Sequence, residues 1–203
     1  MSITKIHEYY RSKSNIYDEI TLIDCNDSFT HNLVGEFINL GASVSVFQSH
    51  EIDFDMIIDN IGGYLVISPG PGKPVDSGIA REIYNVMKGK LPTFGVCLGM
   101  QLINEYYGGK TVKANELKHG KISYISHDKK GIFTNIIDPT PVARYHSLMI
   151  KPSSDVKIIS EYQNIIMAIS IKKHNTVGTQ FHPESFMTKH GSKMIENFLE
   201  KLI

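Results

Sequence analysis

Tryptophan is absent from the 203 residues, and cysteine nearly so, with only Cys25 and Cys97. The missing tryptophan decides nothing. Two thiols make no disulfide framework, and a reducing, cytoplasmic setting suits a free reactive one. Net charge is missing as well: Lys+Arg and Asp+Glu each total 21, so no basic field calls for nucleic acid or an anionic membrane surface. No stretch approaches the roughly 20 apolar residues of a membrane span. The polar start, Met1 to Tyr17, has no apolar core of signal-peptide length. Repeats, low-complexity tracts and linkers are not evident. What the chain does have is 41% hydrophobic content, enough for one ordinary core.

Residues 1–17 mix charged, polar and aromatic side chains with little periodicity, and read as an extension that is loosely held or forms a short helix. Residues 18–203 read as one domain. Ile20 to Asp24 is a strand-like run, and Asp24, Asp27 and Ser28 cluster at its end. Ser28 is a plausible N-cap for a helix carrying Phe29, Leu33, Phe37 and Leu40, with Gly41 as its stop. Ser43 to Phe47 is the next strand, Glu51 to Asn60 a short helix, and Tyr64 to Ile67 a buried strand. Ser77 is positioned to cap a helix with Ile79, Ile83 and Val86 inward, ending at Gly89. Strand and helix alternating at this spacing predict an α/β fold: an open, mostly parallel central sheet flanked by helices. After Gly108 and Gly109 come short β-like runs at 121–126, 141–145, 156–161, 165–171 and 176–180. They predict a smaller mixed or antiparallel part in the second half. A helix striped with Ile195, Phe198, Leu199 and Leu202 closes the chain.

The stretch Thr93-Phe94-Gly95-Val96-Cys97-Leu98-Gly99-Met100-Gln101 carries the chemistry. A buried strand runs to Val96, and Leu98, Leu102 and Tyr106 recur at helical spacing beyond it. Cys97 therefore sits at a strand-to-helix turn between two glycines, the thiol counterpart of the Gly-x-Ser-x-Gly nucleophile elbow. A thiol there faces the positive end of a helix, which favours the thiolate. A buried, inert cysteine after a strand fits these residues equally well. A nucleophile needs a base, and the base an orienting group. Of nine histidines, six lie in unremarkable polar contexts, and His119 and His146 lie near glycines or strand ends. His182 is the best candidate. It follows a strand in His182-Pro183-Glu184, where Pro183 keeps the segment extended and Glu184 projects to the same side. A surface His–Glu pair at a strand exit has the same spacing.

Metal binding competes for such residues, but there is no Cys-x-x-Cys and no His-x-x-x-His. The loop Ser68-Pro69-Gly70-Pro71-Gly72-Lys73-Pro74 lacks the ending of a P-loop and the pattern Gly-x-Gly-x-x-Gly. Gly70 is where its backbone can approach a substrate, and its N–H can pair with that of Leu98 as an oxyanion hole. A stiff surface turn is the plainer interpretation of that loop.

Taken together these segments resemble the class I (triad) glutamine amidotransferases from about Ile20 to the C-terminus. The residues that carry the likeness are Asp24 to Thr30, Ser68 to Gly72, Gly95 to Gln101, His119-Gly120-Lys121, Arg144-Tyr145-His146-Ser147-Leu148 and Gln180 to Ser185. The resemblance implies a Cys97–His182–Glu184 triad, an oxyanion hole from Gly70 and Leu98, and glutamine held by Gly70, Pro71, Gly72, Gln101, Ser147 and Leu148. It implies no metal or cofactor in this chain. Asp27 to Thr30, Arg144 to Leu148 and Phe181 to Ser185 are most similar to the small subunits of chorismate-using enzymes. These are anthranilate synthase component II, which the run 141–148 favours, and the amidotransferase of 4-amino-4-deoxychorismate synthase; the same small chain can serve both. It is expected to act in a hetero-oligomer with a large subunit that holds chorismate and Mg²⁺, to be weakly active alone, and to contact its partner through Asp27-Ser28-Phe29-Thr30. No transferase domain is expected to be fused downstream. Met100 stands where His is frequent, Cys25 where Tyr or Asn is usual, and Phe186-Met187 where an aliphatic pair is usual. A γ-glutamyl hydrolase or peptidase with the same triad, and a catalytically silent binding protein, are the alternatives from other classes.

Overall fold

A computed structural model describes residues 7–114 and 120–201. His119 lies outside the described residues. The strands are β1 (His7–Tyr10), β2 (Tyr17–Asp24), β3 (Ala42–Gln48), β4 (Tyr64–Ile67), β5 (Thr93–Val96), β6 (Lys110–Lys113), β7 (Lys121–His127), β8 (Thr140–Arg144), β9 (Leu148–Lys151), β10 (Lys157–Tyr162), β11 (Ile165–Ile171) and β12 (Thr176–Thr179). The helices are α1 (Thr30–Leu40), α2 (Phe54–Asp59), α3 (Ala80–Met87), α4 (Leu98–Tyr106) and α5 (Gly191–Leu199).

One ten-stranded sheet, in the order β1-β3-β2-β4-β5-β12-β11-β10-β7-β8, runs through the molecule, with β6 and β9 as a separate pair. Its centre, β3-β2-β4-β5-β12, is parallel throughout. Antiparallel strands extend it on both sides. The antiparallel half is thus not a separate layer: β12 returns from it to pair in parallel with β5. Residues alternate between the two faces along each strand. Ile20 and Leu22 join a core with Leu33 and Phe37 of α1 and Ile195 and Phe198 of α5. Ile23, Leu65 and Ile67 join another with Ile83 and Tyr84 of α3 and Leu102 and Ile103 of α4. Helices therefore cover both faces, as a parallel sheet requires.

Three expectations from the sequence are corrected. Residues 7–10 are neither loose nor helical: they pair antiparallel with β3 and form one edge of the sheet. Ser28 does not cap α1, which begins after Phe29 without a side-chain cap. Asp24 and Asp27 organise that turn instead. Asp24 Oδ1 accepts hydrogen bonds from the Asn26 N–H (2.9 Å) and the Thr30 hydroxyl (2.7 Å), and Asp27 Oδ1 accepts one from the Phe29 N–H (2.8 Å). Ser77 does not cap α3 either; its hydroxyl donates to the Pro74 carbonyl (2.7 Å) and closes a 3-10 turn. Gly41 does stop α1, at a left-handed φ of 100° that suits glycine.

Candidate active site

The order of the parallel strands places a topological switch point between β2 and β4, and clefts of such sheets open at the carboxyl ends of the strands. The ends of β2, β4, β5 and β12 carry Cys25, the Ser68–Gly72 loop, Cys97, and Gln180 to Glu184.

Cys97 links β5 to α4 with φ 52° and ψ −99°, a left-handed backbone for a residue with a side chain. Such conformations cost roughly 1–3 kcal/mol and persist only where their surroundings enforce them. The enforcement is visible here. The Cys97 N–H donates to the Thr179 carbonyl (2.7 Å), and its carbonyl accepts from the Gln101 N–H (3.1 Å). Gly99 lies so close to β4 that a Cβ there would stand 2.4 Å from the Ile67 carbonyl oxygen. At Gly70 a Cβ would stand 2.5 Å from Leu98 Cδ2 and 2.7 Å from the Cys25 carbonyl oxygen, so only glycine lets the loop approach this turn. Leu98 is the first residue of α4, where an N–H has no acceptor within its own helix.

His182 and Glu184 lie in a buried turn after β12, not in the extended segment expected from Pro183: the Ser185 N–H donates to the His182 carbonyl (3.3 Å). The Glu184 carboxylate accepts from His182 Nδ1 at 2.6 Å, with only 3% and 0% of the two side chains exposed. The His182 N–H donates to the Ala143 carbonyl (3.2 Å) and its carbonyl accepts from the Thr188 hydroxyl (2.6 Å), so the backbone is held on both sides. Burial pushes the His182 ring down. Hydrogen bonds to Cys97 and Glu184, with the electrostatic pull of the same groups, overcome this and hold it well above its usual range. Phe29 and Tyr145 flank the ring, with centroids 5.5 Å and 5.1 Å away.

Cys97 opens onto a cavity of about 170 Å³ lined by Gly70, Pro71, Gly72, Gln101, Tyr145, His146, Ser147 and Leu148. It is smaller than the roughly 300–1,000 Å³ of drug-sized sites and suits a ligand of amino-acid size. Every residue expected to hold glutamine lies on this wall. A larger open hollow, about 610 Å³ and lined by His7, Asp18, Glu19 and Gly62, contains none of them.

His146 is not a free base. It accepts from Arg144 Nε at Nε2 (3.0 Å), and its Nδ1 donates to the Leu148 carbonyl (2.7 Å), so the neutral tautomer is fixed from both sides. Burial drives it down to about 4; the Leu148 bond works upward, while Arg144 and His182 repel a second positive charge. Gln180 belongs to one of the stretches that carry the family likeness, but the sequence assigned it no role in the site. Its carboxamide donates from Nε2 to Cys97 Sγ (3.4 Å) and accepts at Oε1 from Gln101 Nε2 (3.2 Å). The signal available was its place at the head of the Gln180–Ser185 stretch, two residues before His182.

The three departures from the expected pattern stand behind or beside the pocket rather than on its wall: Cys25 backs Gly70, and Met187 accepts from the Tyr145 hydroxyl at its sulfur (3.6 Å). Met100 is buried beside Gly178. Burial raises the Cys25 thiol to about 12, and Phe186 is 92% exposed. Among the described residues, no group of three or more His, Cys, Asp and Glu side chains is arranged to hold a metal ion. No helix there is long and apolar enough to cross a membrane.

Residues 21–202 match the model of the family described as glutamine amidotransferase class-I. A multifunctional tryptophan biosynthesis protein from Pichia angusta is 44% identical over 89% of this chain and 50% of its own length. An aminodeoxychorismate/anthranilate synthase component 2 from Bacillus subtilis is 43% identical over 89% of this chain and 95% of its own. The chain thus spans about half the length of the Pichia relative and nearly all of the Bacillus one. Among solved structures, a protein from Thermoplasma acidophilum, described as one of the subunits of GMP synthase, superposes with a TM-score of 0.80. At 22% identity, with 90% of this chain and 92% of that one covered, it shares the fold.

Proposed function

The chain belongs to the class-I glutamine amidotransferase family, and from that footing we propose that it splits L-glutamine into glutamate and ammonia through Cys97, His182 and Glu184. The observation that carries this reading is the thiol on a strained turn beside a buried, carboxylate-held imidazole, at the mouth of a pocket of amino-acid size.

Each step uses a group already in place. His182 carries a positive charge near neutral pH, and a cation beside sulfur stabilises the thiolate. Glutamine lies in the pocket with its side-chain amide over Cys97, and the thiolate attacks the amide carbon. The N–H groups of Gly70 and Leu98 receive the developing oxyanion, an interaction worth about 3–4 kcal/mol per donor in comparable sites. His182 gives its proton to the departing nitrogen, ammonia leaves, and a γ-glutamyl thioester remains. The now neutral ring takes a proton from water as the hydroxide equivalent attacks the thioester; the C–S bond breaks, and glutamate and the thiolate are released. Glu184 holds the ring so that Nδ1 stays protonated and Nε2 faces the reaction. Gln101, Pro71, Gly72, Ser147 and Leu148 hold the substrate's remaining polar groups.

For the ammonia's destination, the relatives support one reading over others. Their names favour anthranilate synthase; our own reading adds that this chain works as its component 2 in the cytoplasm, bound to a chorismate-using large subunit that would hold Mg²⁺. Asp27 to Thr30 lies beside His182 through Phe29 and is the segment offered to that partner. A second reading, service to aminodeoxychorismate synthase as well, is favoured by the double name of the Bacillus relative. The test is glutaminase turnover with each candidate partner and with glutamine-dependent product formation as readout. Turnover is expected only with intact Cys97, which an electrophilic glutamine analogue should label. Hydrolysis of γ-glutamyl peptides but not of glutamine, or full activity in Cys97→Ala, contradicts the proposal.

A further inference from the structure

Gln180 has a fully buried carboxamide, and a buried amide has to place both its N–H and its C=O. Here both go to the site. Oε1 accepts from Gln101 on the pocket wall, and Nε2 donates to the sulfur of Cys97. The arrangement is held by the backbone on either side: Gln180 N–H donates to the Met167 carbonyl of β11 (2.8 Å), and the preceding carbonyl, of Thr179, accepts from the Cys97 N–H (2.7 Å). The end of β12, which leads directly into Gln180, is thereby fixed to the residue whose sulfur Gln180 touches. An apolar side chain would fill this space without the need to satisfy an amide, so packing alone does not account for glutamine here.

We infer that Gln180 is a catalytic contact of the nucleophile, which holds the Cys97 sulfur through its side-chain N–H and ties that contact, through Gln101, to the occupied state of the pocket. An N–H donor interacts more strongly with an anionic sulfur than with a neutral thioester sulfur. It therefore favours the thiolate in the resting enzyme and again when the thiolate is expelled from the thioester. It also fixes the direction in which the sulfur points, where small misplacements are costly. Gln101 lies on the pocket wall while its amide nitrogen is committed to Gln180. A ligand that draws on Gln101 accordingly pulls on the same short chain of amides. No new covalent step is added, and the inference rests on the glutaminase reading of the triad.

The test compares Gln180→Met, which keeps the volume and removes the N–H, and Gln180→Glu, which keeps the shape and replaces the N–H by oxygen. Each is made in the full chain and assayed with its chorismate-using partner. The expected result is a fall in glutaminase kcat of about 10-fold for Q180M and more for Q180E, with KM changed less than about 3-fold. Thermal melting should stay near wild type for Q180M. The ultraviolet absorbance of the thiolate, measured against Cys97→Ala, should weaken in Q180M, since a bond to the charged form is lost. Wild-type kcat and an unchanged thiolate band in Q180M overturn the inference. So does a lower kcat with an unchanged band and a lowered melting temperature, which is the signature of packing. The absorbance measurement needs no glutamine, so it judges the contact even where turnover fails, whereas glutaminase activity surviving in Cys97→Ala removes the underlying reading.

Discussion

Two buried imidazoles sit in neighbouring parts of one site and are driven in opposite directions. His146, in the loop after β8, is pushed down to about 4; His182, in the turn after β12, is held well above its ordinary 6.5. Burial presses both towards neutrality and cannot separate them. Their partners do. His146 faces a guanidinium at one nitrogen and gives its only proton to a backbone carbonyl at the other. His182 faces a carboxylate and a thiol. The lesson is that in a closed site the charge of the neighbours, not depth, decides which histidine can act as acid and base and which is a fixed strut. The two cysteines repeat it: Cys25, buried beside Asp24, is raised to about 12 and lines no part of the pocket.

The sharpest way to break this contrast is to remove the active ring. His182→Asn should lower glutaminase turnover by on the order of 10⁶-fold, as loss of a triad base does elsewhere, while binding of a glutamine analogue by calorimetry persists. Glu184→Gln keeps the shape but loses the anion. Turnover should fall on the order of 10⁴-fold, and NMR titration should find the His182 ring moved down towards, or below, its ordinary value. An unmoved ring would break the assignment of its charge to Glu184.

The strut makes a pH prediction of opposite sign. Between pH 4 and 6.5 the unfolded chain protonates His146 while the folded protein does not. Unfolding is therefore favoured as pH falls through that window, by about 3 kcal/mol once below it. His146→Gln should flatten this slope in denaturant titrations. His182, whose folded value is raised, contributes stability that is full below pH 6.5 and lost as pH rises through its higher folded value. The smallest effect expected is kinetic: His146→Gln should raise KM for glutamine about 10-fold, through the Ser147–Leu148 wall, with kcat altered less. A kcat loss as large as that of His182→Asn would erase the distinction between strut and base.

Much of this was legible in the sequence because it rests on local pattern. The β5–Cys97–α4 turn follows from an apolar run, two glycines and helical spacing. The pairing of His182 with Glu184 was legible from their closeness in sequence, but not its geometry: a turn closed by the Ser185 N–H on the His182 carbonyl (3.3 Å), not extended chain, brings the carboxylate to the ring. What stayed hidden depends on contacts made far along the chain. β1 is four residues of mixed character and exists because β3 offers a free edge. Ser28 had the right chemistry for a cap, but Asp24, anchored also by the Gln48 amide (2.8 Å), outcompetes it for the turn. Gln180 heads a stretch that carries the family likeness, but its role appears only when β12 is placed against β5 and the Gln180 amide reaches the sulfur. The neutrality of His146 needed Arg144, two positions before it, to be buried and aimed at the same ring.

The central claim is that Cys97 carries the glutamyl group while His182 serves it. Rapid acid quench of the enzyme turning over glutamine with its partner, followed by mass spectrometry of the cysteine peptides, tests this directly. An adduct equal to glutamine less ammonia is expected on the peptide containing Cys97, more abundant in a variant slowed in thioester hydrolysis and absent in Cys97→Ala. Continued release of glutamate with no adduct on Cys97, or an adduct on Cys25 instead, would contradict the claim.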